Sequence, residues 1–143
     1  MVRIRRLGVG LVVGLTLAAC TSETDTALAD VQAACTEMGY EDGKSKESDS
    51  SDTTWTSDDW ADTADQYDDI ANRVASAARD DGRWNRLSNA LTDWQAATEK
   101  MVVVRDETLP QSERDAAQAE VDQLDVQSIY RVVSQECRKA QAE

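Results

Sequence analysis

Between residues 28 and 137 the apolar side chains of this 143-residue chain recur three and four positions apart, in four separate runs. That rhythm matches the turn of an α-helix, whereas a half-buried strand alternates every second residue. The first run is Leu28, Val31, Cys35 and Met38, and it ends near Gly39. The second is Trp60, Ala64, Tyr67, Ala71, Val74 and Ala78. It opens at Thr56 or Ser57, where Thr-Ser-Asp-Asp supplies a capping hydroxyl and acids for the helix dipole. Asp80-Asp81-Gly82 closes it with a glycine suited to a left-handed cap. The third run is Trp84, Leu87, Leu91, Trp94, Thr98 and Met101, and it is expected to fray in the β-branched Val102-Val103-Val104. After Leu109-Pro110, residues 112–115 form a capping-box pattern for one long last helix. That helix has two apolar faces, one with Ala117, Val121, Leu124, Ser128 and Val132, the other with Val126, Tyr130, Val133 and Cys137. Two such faces call for neighbours on both sides. The chain is therefore predicted to be all-α, a small bundle of three long helices over residues 56–143 with a shorter N-terminal helix over 27–40. Residues 41–55, rich in Ser, Asp, Glu and Lys, are predicted to be a flexible acidic linker.

The N-terminal segment follows a different rule. Arg3, Arg5 and Arg6 precede an apolar stretch from Leu7 that ends in Leu17-Ala18-Ala19-Cys20. A basic region, a short apolar region and small residues at the cut define a secretory signal. The stretch from Leu7 to Ala19 is too short to cross a bilayer, which takes roughly 20 apolar residues. The final tetrad resembles the lipobox of bacterial membrane lipoproteins, and the resemblance covers residues 1–20 only. It implies that the signal peptide 1–19 is removed and that Cys20 carries a diacylglyceryl group, often with a further acyl chain on the freed amine. Residues 20–26 would then be the lipidated cysteine and a short polar tether. Each buried methylene contributes about 0.8 kcal/mol, so two or three chains anchor stably where one does not. The implied location is the cell membrane, facing outside the cytoplasm, at the cell surface or in the periplasm, with the membrane engaged through the lipid on Cys20.

With Cys20 committed to lipid, two cysteines remain, and exported pairs usually bond. Cys35 lies in the stripe of the first helix and Cys137 in the spare stripe of the last. A Cys35–Cys137 disulfide is predicted, closing a loop of about a hundred residues, worth up to about 4–5 kcal/mol in chain entropy. The favoured packing sets the first helix parallel to the last, with Val31 against Val133 and Leu28 against Tyr130. Helices two, three and four would run up, down, up, with the disulfide near the Gly82 turn.

Composition narrows the function. Without the three arginines of the signal, the net charge moves from −13 to about −16. Such a chain repels nucleic acid phosphates and anionic headgroups, so no nucleic acid partner is expected. Histidine, the commonest general base and zinc ligand, is absent. No glycine-rich phosphate loop or nucleophile elbow occurs, so the chain is read as non-enzymatic, with no catalytic residues, metal or cofactor. Asp58, Asp62, Asp65 and Asp69 share one helical face. Strung along a face rather than converging, they are expected to be solvated rather than to hold calcium. Trp60, Trp84 and Trp94 fall on core stripes. Trp55 stands off every stripe, either as a hydrophobic staple on helix two or as an exposed contact residue. The expected role is a lipid-anchored interaction module contacting an envelope protein. The alternatives are a small-ligand or divalent-cation-binding lipoprotein, a phage-type exclusion lipoprotein, and an envelope enzyme acting through paired carboxylates.

Overall fold

A computed structural model describes residues 22–41, 44–45 and 55–143. Cys20, the signal 1–19 and most of the predicted linker lie outside the described residues. The elements in order are α1 (Glu23–Glu37), β1 (Tyr40–Glu41), β2 (Lys44–Ser45), α2 (Ser57–Asp80), a 3-10 turn (Gly82–Trp84), α3 (Asn85–Arg105), α4 (Gln111–Val121) and α5 (Val126–Gln141). The fold is an all-α bundle, and the Cys35–Cys137 disulfide is present, its Cα atoms 5.5 Å apart.

Capping chemistry sets most boundaries. Thr56 opens α2 with a full capping box, its hydroxyl accepting from the Asp59 amide while the Asp59 carboxylate accepts from Thr56. At the end of α1, Gly39 turns the chain with a φ of 85°, a conformation that costs glycine nothing. Gly82 does not take the left-handed cap expected of it. Gly39 is the positive-φ glycine among the described residues, and Gly82 instead starts the 3-10 turn, held by Asp81, whose carboxylate accepts from the Arg83 amide.

Four other expectations need correction. First, α1 begins at Glu23, so residues 23–26 are helix rather than tether; Ser22 and Asp25 form a reciprocal capping box. Second, the linker opens with ordered backbone, because Tyr40 pairs with Ser45 and Glu41 with Lys44 in a minimal antiparallel hairpin. Third, α3 does not fray in its valines but stays helical to Arg105, with Val102–Val104 half-buried and the Val102 carbonyl accepting from the Ser57 hydroxyl. Packing outweighs β-branched propensity there. Fourth, the single last helix is two. Asp122 ends α4, and Asp125 caps α5 by accepting from the Ser128 amide at 2.9 Å. Aspartate competes for backbone donors and favours such ends over helix interiors.

The long helices run up, down, up, as predicted. Along α2 and α3, Ser57 meets Val102, Asp68 meets Gln95, and the Tyr67 and Trp94 rings meet edge-on at 5.8 Å. Along α3 and the last two helices, Lys100 pairs with Glu120 and Arg86 with Glu136. The first helix runs against expectation. Gln32, one turn before Cys35, donates to the carbonyl of Ala140, one turn after Cys137. Tyr40, beyond Cys35, faces Tyr130 and Ser134, which precede Cys137. The α1 helix is therefore antiparallel in sense to α5, and Leu28 does not meet Tyr130. Its main support is α2 rather than α5. Turned back at Gly39, Tyr40 fills the core from the other side.

Candidate functional site

The core is concentrated at one end. Val31, Cys35, Ile70, Val74, Trp84, Leu87, Leu91 and Cys137 are inaccessible to solvent, and Ala140 closes the layer. Trp84 is the largest fully buried side chain, and two cations lie over its ring. The Arg83 guanidinium lies 4.8 Å from the ring centroid and the Lys139 ammonium 5.2 Å. Beside them Glu136, buried at 7% exposure, accepts from Arg86 at 3.1 Å and pairs with Lys139. Arg83 also pairs with Asp81 and Glu143. This stapled end is closed and rigid by construction, with α1, the 3-10 turn and α5 tied by sulfur, charge and aromatic contact.

Tyr40 and Glu136 were missed in the sequence. Tyr40 sits at the edge of a polar stretch, where nothing in its neighbours marks a buried ring. Burial and the nearby Tyr130 push its hydroxyl up from 10.0 to about 12. Burial likewise raises Tyr67. Glu136 lies on the apolar stripe next to Cys137, a placement that in hindsight marks a paired core acid.

The opposite end is more exposed. Trp55 packs on Trp60 at 5.0 Å between ring centroids, joining the residue before the Thr56 cap to the fourth residue of α2. That is the hydrophobic staple geometry, and it leaves Trp55 half-buried rather than a free contact residue. Asp58, Asp62, Asp65 and Asp69 are all exposed along α2, and among the described residues no group of three His, Cys, Asp or Glu is placed to hold a metal ion. Asp59 is held below the usual carboxylate range by the Thr56 hydroxyl and amide, a capping effect rather than a sign of chemistry.

The break between α4 and α5 borders a recess. It has a volume of about 400 Å³ and lies between α3 and the start of α5, with Arg86, Asn89 and Asp93 on one wall and Leu124, Ser128 and Val132 on the other. The mixture of a half-exposed leucine, a valine and the four polar residues Arg86, Asn89, Asp93 and Ser128 suits a side chain or short peptide segment better than a deep ligand pocket. No protein-family model, curated protein or solved structure matches this chain. The candidate surface therefore stands on its own geometry. It combines a stapled end, a recess beside α3 and an acidic outer face, where a second recess of about 400 Å³ is lined by Ala64, Asp65, Asp68, Asp69 and Glu99.

Proposed function

We propose that this protein is a lipid-anchored extracytoplasmic helical module that acts at the bacterial cell envelope by contacting another protein, without chemistry of its own. The observation that carries the reading is the N-terminal sequence, three arginines and a short apolar stretch closing on Leu17-Ala18-Ala19-Cys20. The Cys35–Cys137 bond supports it, because a stable disulfide belongs to a compartment more oxidising than the cytosol. The recess between α3 and α5 is the contact surface offered to the partner.

Mass spectrometry of the full-length protein recovered from bacterial membranes tests the anchor. The expected mass is that of residues 20–143 plus a diacylglyceryl group, and Cys20→Ala should release the protein from the membrane fraction. A chain that retains residues 1–19 or carries a bare Cys20 would overturn the reading. Crosslinking in intact cells tests the contact: photo-reactive groups at Asn89 and Leu124 should capture an envelope protein that a probe at Glu107 does not. The same recess is the foothold for the small-ligand alternative, which requires heat of binding from an apolar or cationic compound in calorimetry.

A further inference from the structure

We propose that the half of the bundle away from the disulfide docks a basic amphipathic helix between α2 and α4. This rests on the reading of the protein as a module that contacts another protein, and it names the chemistry of that contact. The surface is separate from the recess beside α3 and is present whether or not Cys20 carries lipid.

Four helices stand together at the level of the disulfide. There α1 packs on both α2 and α5, and α3 packs on the same two. Val31, Cys35, Val74, Leu87 and Cys137 are fully enclosed between them. The first helix goes no further along α2, because Glu37 pairs with Arg73 and the chain then turns back at Gly39. In the remaining half, α2 and α4 each pack on α3 and not substantially on each other. Among the described residues no element other than α3 packs on both of them. The contacts of Ser57 with Val102, Tyr67 with Trp94 and Lys100 with Glu120 set Trp60, Met101 and Val121 at about one level. Trp60 lies seven residues before Tyr67, Met101 seven after Trp94 and Val121 four after Ala117, so each continues the core face of its helix. All three are only half-buried, and none belongs to the enclosed core or packs against it. Apolar helix faces of this kind are the docking mode of an amphipathic partner helix.

Charge selects the occupant. Residues 55–69 and 93–125 carry fifteen Asp and Glu against three cations, Lys100, Arg105 and Arg114. Lys100 is already paired with Glu120, and Arg114 donates to Gln111. Asp58, Asp59 and Asp62 on α2 and Asp115 and Asp122 on α4 are exposed. A helix with Lys or Arg flanking an apolar stripe sets its cations against these acids while the stripe covers Trp60, Met101 and Val121. A second copy brings the same acids, and at a net charge of −13 per chain the two repel. Residues 46–54 of the chain itself carry no apolar side chain to lay on this face. From Ser57 to Asp68 the open stretch of α2 runs about 18 Å, the length of roughly twelve residues of partner helix.

The probe is a peptide of about fourteen residues, with leucines at helical spacing, lysines elsewhere and one photo-reactive leucine. The control has the same residues in an order that destroys the stripe. Titrated into the full chain at physiological salt, the striped peptide should bind about tenfold tighter than the control and gain helicity in circular dichroism. After irradiation its adducts should map to residues 55–69 and 94–121. Trp60→Ala and Val121→Glu should each weaken binding about fivefold or more, and Asn89→Ala should not. The adduct map is read on the native chain, so it holds even where a variant fails to fold. Equal binding of the two peptides, or none, overturns the proposal, as does a dimer in sedimentation that closes over Trp60 and Val121. Adducts confined to the recess beside α3 overturn it too, but leave the protein-contact reading standing.

Discussion

Two aromatic side chains anchor this fold in different ways, and each makes a measurable claim. Trp84 is wholly enclosed, so Trp84→Ala removes a large buried volume and should cost about 3–5 kcal/mol. Urea unfolding followed by circular dichroism reads that as a lower midpoint at unchanged slope. Tyr40 makes a claim about pH. Its folded-state value, about 12, lies above the ordinary 10.0, so folding favours the protonated hydroxyl. The resulting stabilisation is complete below pH 10 and is lost as pH rises toward 12. In an absorbance titration at alkaline pH, Tyr40→Phe should remove the latest tyrosinate step and flatten the fall in stability over that window.

Individual helices were legible in the sequence to the extent that local chemistry fixes them. Thr56 with Asp59, Gly39, and the alternation of threes and fours along α2 and α3 are short-range signals, and the structure follows them. The break at Asp122–Asp125 was not legible, because Ala117, Val121, Leu124 and Ser128 continue the helical spacing across it. Periodicity registers which face is apolar, not whether the backbone is continuous. Asp125 is the residue that decides. Asp125→Ala removes the carboxylate that accepts from Ser128 and should cost about 1 kcal/mol, read in thermal unfolding. The direction of α1 was also hidden, since it depends on α2 and on Tyr40 rather than on the two stripes that meet at the disulfide. The recess beside α3 was hidden with the break that borders it.

At the scale of the whole molecule the disulfide dominates. It joins residues 102 apart, and in the chain-entropy model a loop of that size stabilises by about 4–5 kcal/mol, often less in practice. For a domain this small that is a large share of the total. Cys35→Ala with Cys137→Ala should lower stability by roughly 2–5 kcal/mol, and reductant should do the same to the native protein once the buried bond is exposed. The stripes of α1 and α5 made this pairing legible because each cysteine occupied a core position, and both sulfurs are indeed fully buried.

The same bond changes what proteolysis can do. A single backbone cut anywhere between residues 36 and 136 yields two polypeptides that stay covalently joined, so a clipped molecule keeps its size. If the leading fragment carries the lipid, an envelope protease cannot shed the rest by nicking the polar stretch ahead of α2. The two pieces part company on a gel only after dithiothreitol is added.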